Sequence, residues 1–154
     1  MSMDIAHLIQ SSVAPVFLLS GVAATLGVLT NRLSRIVDRA RRIEDTLHGY
    51  PQQPRHPQHA AQLRSDLAVL ARRAHYINVA ISLATIAALL VALVVVALFA
   101  NAFLRSELGI MIALLFVGAM VCLSAAFIAF FIEVRVAVAA LRIGIREAEE
   151  PPRG

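Results

Sequence analysis

Five arginines are the residues of this sequence best suited to binding a ligand. Arg32, Arg35 and Arg39 follow one another at helical spacing, and Arg72 and Arg73 form a pair further along the chain. A guanidinium group is permanently charged and carries several N–H donors, which suits phosphate and carboxylate groups. The five therefore form a candidate contact for an anion or an anionic lipid headgroup. The alternative is that they are solvated side chains that only mark the cytoplasmic side of a membrane.

Two other groups are weaker candidates for chemistry. His56 and His59 lie close together without a nearby Cys or carboxylate, and two His alone rarely hold a metal ion. Glu133 and Arg135 flank the end of an apolar stretch, where we expect an anchor among lipid headgroups rather than a proton relay. The sequence has no phosphate loop, nucleophile motif or zinc signature. We therefore predict no catalytic residue, no metal, no cofactor and no enzyme activity.

Composition indicates a membrane protein. Hydrophobic residues make up 59% of the 154 residues and charged residues only 16%, with a mean hydropathy of +0.76. A soluble domain has about 45–50% apolar and about 25% charged residues. Nucleic-acid binding is not expected, because acidic residues lie among the arginines and stacking aromatics are lacking there. These acids are Asp38, Glu44, Asp45 and Asp66.

The apolar residues are concentrated in three blocks, at about 8–30, 77–100 and 108–132. Each is long enough to cross about 30 Å of hydrocarbon as a helix. We therefore predict an all-α membrane protein with three transmembrane helices, at 12–30, 77–100 and 108–132.

The start of the first helix depends on Pro15. Proline fits the first turn of a helix, and Ser11 or Ser12 could cap such a turn. We therefore start the first span at residue 12 and place residues 1–11 outside, along the membrane surface. The alternative is one continuous helix kinked at Pro15, and the sequence does not decide between the two.

The arginines also predict the orientation. Most lie in residues 31–76 and some in residues 133–154, whereas residues 101–107 hold only Arg105. By the positive-inside rule, residues 31–76 and the helix and tail at 133–154 are cytoplasmic. The N-terminus and residues 101–107 are then outside a bacterial inner membrane.

The cytoplasmic segment 31–76 reads as a helical hairpin. Two apolar stripes with heptad spacing flank a Pro-rich turn at 49–58. In an antiparallel pair, Leu47 faces Leu63, Ala40 faces Leu70 and Leu33 faces Ile77, so spans one and two continue into an antiparallel coiled coil. In that register Arg39 lies near Arg73, and the pair needs an anion between them. The stripes are Leu33, Ile36, Ala40, Ile43 and Leu47, then Leu63, Leu67, Leu70, Ala74 and Ile77.

A third stripe follows the last span. Val134, Val138, Leu141 and Ile145 again have helical spacing. A third cytoplasmic helix could therefore complete a three-helix bundle or bind another subunit.

Small and polar residues also form a stripe along the first two spans. We expect intramembrane polar packing between the two helices, because helices in lipid associate through small residues and hydrogen bonds. The other reading is a polar pore or ligand groove. The polar members are Ser20, Asn31, Asn78, Ser82 and Thr85.

Three segments together resemble a known family. They are APVFLLSGVAATLGVLTNRLSRIVDRARRIE (Ala14 to Glu44), LRSDLAVLARRAHYINVAISL (Leu63 to Leu83) and FFIEVRVAVAALRI (Phe130 to Ile143). The chain is similar over about residues 5–145 to the bacterial membrane family called domain of unknown function 2721, most specifically at NRLSRIVDR. The resemblance implies three spans and a helical cytoplasmic loop. It implies no activity, substrate or catalytic residue.

These patterns favour a structural or interaction protein that forms homo-oligomers, contacts membrane lipid and can bind a cytoplasmic protein partner. The alternative is a subunit of a small oligomeric channel or transporter, with Asn31, Ser82 and Thr85 lining a pore. The absence of ionisable residues from the spans favours the first hypothesis.

Overall fold

The computed structural model describes the backbone of residues 2–48, 57–104 and 108–149. These residues form three long helices: α1 (Ser2–His48), α2 (Pro57–Leu104) and α3 (Gly109–Glu149). Side chains are described for residue 10 and for residues 12–46, 61–103 and 108–139. The all-α prediction is confirmed for the described part of the chain. Most of the predicted Pro-rich turn, with His56, and the segment 105–107 lie outside it.

Each helix contains a segment that is long and apolar enough to cross a membrane. The segments are Ser12–Thr46, Ala61–Phe103 and Gly109–Ala139. Three such helices indicate a multi-pass membrane protein. The predicted number of spans is therefore confirmed at the level of helix length and composition.

The structure bears on two helix starts. α1 begins at Ser2 and is continuous through Pro15, while the start of the span at residue 12 stays a prediction. Pro15 has no N–H to donate to the carbonyl of Ser11, and the helix continues despite that lost bond. α2 begins at Pro57, inside the predicted turn at 49–58. A proline fits this position because the first N–H groups of a helix have no partner within it.

The helices contribute to two compact units. The apolar unit comprises Met1–Thr30 and Ala80–Ile128, and the charged unit comprises Asn31–Val79 and Ala129–Gly154. Each unit takes one segment from each helix. Within the apolar unit, residues 10–30, 80–104 and 108–128 contain no Asp, Glu, Arg or His.

The core of the apolar unit is built largely from alanines. Val22 of α1 packs with alanines of α2 and with Leu123 and Ala126 of α3. Small side chains let helices approach closely, which increases van der Waals contact in a solvent as apolar as the side chains themselves. The two helices α2 and α3 also come close at Gly118, since a Cβ there would lie 3.7 Å from the Leu90 Cδ1 atom. The alanines of the cluster are Ala84, Ala87 and Ala126.

Five hydroxyl groups in the apolar unit are satisfied within their own helices. Each donates to the carbonyl four residues earlier, at 2.8–3.3 Å. A polar group in hydrocarbon needs such a partner, because no water is present to supply one. These side chains therefore need no contact with another helix. They are Ser20, Thr25, Thr30, Thr85 and Ser124.

In the charged unit, the two predicted apolar stripes occupy the less exposed faces of α1 and α2. Ile36, Leu70 and Ile77 are buried. The other described members are partly buried: Leu33, Ala40, Ile43, Leu63, Leu67 and Ala74. The faces of the helices thus agree with the sequence pattern, and the pairing of residues as a coiled coil stays a prediction.

The third predicted stripe is shifted around α3. Val138 is half exposed, whereas Ala129 and Glu133 are buried. The inward face of α3 therefore includes a carboxylate that the apolar pattern did not count. Leu141 and Ile145, the remaining members of that stripe, lie outside the described side chains.

Candidate functional site: a buried glutamate and an arginine cleft

One ionised cluster joins the three helices within the charged unit. Arg32 comes from α1, Arg73 from α2 and Glu133 from α3. The Glu133 side chain has no exposed surface, while the Arg32 and Arg73 side chains are 30% and 23% exposed. We call these three residues the buried triad.

Both carboxylate oxygens of Glu133 are used. Arg32 Nη1 donates to Oε2 at 3.0 Å. Arg73 donates to Oε1 from Nε at 3.0 Å and from Nη2 at 2.9 Å. Hydrogen bonds between ionised groups are about twice as strong as neutral ones, and low polarity around a buried carboxylate strengthens them further. Two guanidinium groups thus hold one carboxylate between them.

An aromatic ring also positions Arg32. Its Cζ atom lies 5.1 Å from the centre of the Phe130 ring, one turn before Glu133 on α3. A guanidinium over a ring face is attracted by the negative charge of the ring face. Arg32 is therefore held at two points of the same helix.

The triad joins the three helices through one side chain. Both oxygens of the Glu133 carboxylate accept hydrogen bonds from guanidinium groups of the two other helices. No buried side-chain nitrogen or oxygen lacks a hydrogen-bond partner in the described part of the chain. What the triad does is fix one point of each helix relative to the other two.

Beside the triad lies an open cleft of about 400 Å³. Four of its six lining residues are arginines, and the other two, Ile36 and Leu70, are buried and apolar. We call it the arginine cleft. Its arginines are Arg32, Arg35, Arg39 and Arg73.

The four arginines of the cleft differ in their partners. Arg32 and Arg73 are held by Glu133. Arg35 uses Nε to donate to the Asn31 carbonyl at 3.3 Å, which leaves its two terminal nitrogens available. Within the residues that the structure describes, Arg39 makes no ion pair, and neither do Asp38 and Asp66.

The structure thus brings together four of the five arginines predicted to contact an anion. Arg72 is the exception: it is exposed and its Cζ lies 6.0 Å from the centre of the Tyr76 ring. The expectation that Arg39 and Arg73 share one unmet need for an anion is corrected, because Glu133 supplies the counter-charge of Arg73. Anion or lipid binding by the group stays a prediction.

The five polar residues predicted to pack between the spans all have exposed side chains. Ser20 and Thr85 bond to carbonyls of their own helices. Asn78 and Ser82 each have an interaction partner as well. A Cβ at Gly27, in the same stripe, would meet no atom within 4 Å. The close packing inside the apolar unit is made by alanines, and the pairing of the polar stripe with other helices stays a prediction.

Sequence reasoning missed the role of Glu133. We expected a headgroup anchor, whereas the side chain is fully buried between two arginines. The signal was present, since Glu133 follows the third apolar block just as Arg32 follows the first and Arg73 precedes the second. Charges at matching ends of apolar blocks can meet when the blocks pack side by side.

The described residues contain no group of three or more His, Cys, Asp or Glu side chains that could hold a metal ion. The prediction that His56 and His59 hold no metal ion concerns side chains outside that part of the chain.

Comparison with known proteins gives a family and no activity. The family model described as "Protein of unknown function (DUF2721)" matches residues 12–143. No curated protein and no solved structure matches the chain.

Proposed function

The chain belongs to the DUF2721 family of proteins of unknown function, and we propose that it is a membrane-embedded structural protein that associates with copies of itself. The observation that carries this proposal is the pairing of Glu133 with arginines of two other helices. The only carboxylate buried in the described part of the chain is occupied by two arginines from two other helices. A group held in this way supports an assembly of helices.

The apolar unit supports the same proposal. Residues 10–30, 80–104 and 108–128 of this unit carry no Asp, Glu, Arg or His, and its core is closed by alanines. Transporters and proton pumps usually carry ionisable residues within their spans. Hydroxyls such as those of Thr25 and Thr30 bond inside α1, so they do not require a water-filled path.

Self-association is supported by one face of α1. Ser20, Ala23, Ala24 and Gly27 are all small and all exposed. Because a Cβ at Gly27 would meet nothing within 4 Å, this glycine is not used for packing inside the chain. A face of small residues lets a second helix approach closely in lipid.

Self-association is tested by native mass spectrometry of the protein in neutral detergent. We expect oligomers for the wild-type protein and for Ala102→Leu, whose position is exposed on α2. Gly27→Leu should shift the population to monomers, because the larger side chain separates the two faces. A monomeric wild-type protein, or an oligomer unaffected by Gly27→Leu, contradicts the proposed interface.

We also propose an orientation and an arrangement. The N-terminus lies outside an inner membrane, residues 31–76 form a cytoplasmic antiparallel coiled-coil hairpin, and the C-terminus is cytoplasmic. The excess of arginine in residues 31–76 supports this orientation. The burial of Ile36, Leu70 and Ile77 supports the hairpin.

Cysteine labelling of whole cells tests the orientation. Single cysteines replace Gln52 and Leu104 in turn, on a Cys122→Ala background. An impermeant maleimide added outside should label position 104 and leave position 52 unlabelled. Labelling of position 52 from outside reverses the proposed topology.

A channel subunit is the second candidate. Asn31, Ser82 and Thr85 are exposed, so an oligomer could turn them towards a shared pore. Ion flux into liposomes separates the two functions. We expect flux equal to that of empty liposomes, and flux that Thr85→Val lowers would favour the channel instead.

A further inference from the structure

The arginine cleft carries more positive charge than its surroundings neutralise. Four guanidinium groups line it, and Glu133 is the one carboxylate that contacts any of them among the described residues. The exposed acids Asp38 and Asp66 form no ion pair with these arginines among the described residues. Like charges held together in this way repel one another unless an anion bridges them.

The excess charge is concentrated on Arg35 and Arg39. They lie four residues apart on α1, so their side chains share one face of the helix. Their terminal nitrogens are not engaged with Glu133, in contrast to those of Arg32 and Arg73. Both residues are exposed, so a ligand can reach them from solvent.

The shape of the cleft fits an anion with oxygens on several sides. Arg32 and Arg39 are separated by about 10 Å along the helix, at 1.5 Å per residue. Ile36 and Leu70 add buried apolar side chains to the lining of the cleft. Low polarity beside a charge strengthens its attraction to an opposite charge. Planar guanidinium groups match the oxygens of a phosphate in pairs.

We infer that the arginine cleft is a binding site for a phosphate-bearing anion, clamped by Arg35 and Arg39. Arg32 and Arg73 also line the cleft, and their N–H groups that do not bond to Glu133 add donors for the same ligand. The buried triad thus has a second consequence, because it holds two of the four arginines in place before the ligand arrives. Preorganised donors lose less freedom on binding. The site does not depend on self-association, so it can fail or succeed independently of the proposed function.

Phosphate of this kind has two sources, a free anion and an anionic lipid headgroup. The first arm of the test uses inorganic pyrophosphate, added to the protein in neutral detergent at constant ionic strength set with chloride. At tenfold excess over Kd we expect the unfolding midpoint to rise by about 3–6 °C. The second arm compares nanodiscs of phosphatidylcholine with and without phosphatidylglycerol, and measures retained phosphatidylglycerol by native mass spectrometry.

Two double variants of equal charge show whether the response in each arm comes from the cleft. Arg35→Gln with Arg39→Gln removes the clamp without touching Glu133, so folding is retained. Arg41→Gln with Arg42→Gln removes the same charge from exposed positions of α1 that do not line the cleft. The clamp variant should lose the response, and the control variant should keep it.

The outcomes separate the two sources. A midpoint rise that only the clamp variant loses identifies a soluble phosphate compound. Retention of phosphatidylglycerol that only the clamp variant loses identifies a lipid headgroup. Equal responses of all three proteins mean salt exclusion or unspecific attraction, and they overturn the site, as does the absence of any response in both arms.

Discussion

The interactions inside the apolar unit differ in kind from those inside the charged unit. In the apolar unit, three helix segments pack through alanines such as Ala84, Ala87 and Ala126. In the charged unit, one carboxylate is bound by guanidinium groups of two other helices. The first unit depends on the volume of its side chains, and the second depends, in addition to its buried apolar residues, on charge and hydrogen-bond geometry. Substitutions that change only one of these properties should therefore affect only one unit.

The largest effect is expected for Glu133→Gln, which keeps the size of the side chain and removes its charge. Two arginines then lose their counter-charge, and loss of one partner of a buried ion pair costs about 3–5 kcal/mol. Trypsin measures this in the charged unit, because it cuts after arginine at Arg64 and Arg72. We expect faster cleavage and a lower unfolding midpoint. Asp66→Asn, at an exposed position without an ion pair in the described chain, is the control; equal midpoints for Glu133→Gln and wild type would refute the triad.

The converse substitution is Ala87→Leu, which adds volume to the apolar unit and leaves every charge in place. Ala87 is 1% exposed, so the larger side chain overpacks the helix contacts. This should lower the free energy of unfolding by about 1–3 kcal/mol. Ala113→Leu, exposed on α3, should cost little. The measurement is the unfolding midpoint in neutral detergent. Similar midpoints for the two variants would show that the apolar unit does not depend on small side chains.

A finer test lies inside the triad. Arg73→Lys keeps the charge but loses at least one of two N–H bonds to Oε1, at a cost of about 1–2 kcal/mol. Arg32→Lys loses the contact with Phe130 and keeps a cation near Oε2, so a cost of about 0.5–1 kcal/mol is expected. Unfolding midpoints of the two variants rank them. If Arg32→Lys is the more damaging, the ring contact outweighs the second hydrogen bond.

The smallest effect is a gain. Gly118→Ala places a methyl group 3.7 Å from Leu90 Cδ1, an ordinary contact distance, and removes a glycine from the helix interior. Stability should rise by about 0.5–1 kcal/mol. Gly21→Ala, where a Cβ meets nothing, provides the comparison for helix propensity alone. A loss of stability in Gly118→Ala, seen as a lower midpoint, would mean that α2 and α3 approach more closely there than these distances indicate.

The sequence predicted the apolar unit better than the charged one. Three blocks of apolar residues are sufficient to identify three helices, because crossing hydrocarbon requires continuous helices. The start of α1 was undecided, since local rules allow Pro15 either to begin a helix or to lie within one. Only contacts along the whole helix decide between these possibilities.

The candidate site was predicted in part for a similar reason. Spacing along one helix brought Arg32, Arg35 and Arg39 to one region, and the heptad register placed Arg73 near them. The partner of Arg73 lies on α3, at a distance of 60 residues in sequence. Periodicity within one segment gives no information about such a contact. It required the packing of the third helix against the other two.

The distribution of these bonds along the chain also sets an order of assembly during synthesis. Hydroxyls such as that of Thr25 find their carbonyl four residues back, so each apolar helix enters the bilayer with these polar groups already satisfied. Glu133 follows Arg32 by 101 residues and Arg73 by 60. The two arginines are therefore synthesised before their counter-charge. The charged unit cannot close until the part of α3 that carries Glu133 has been made.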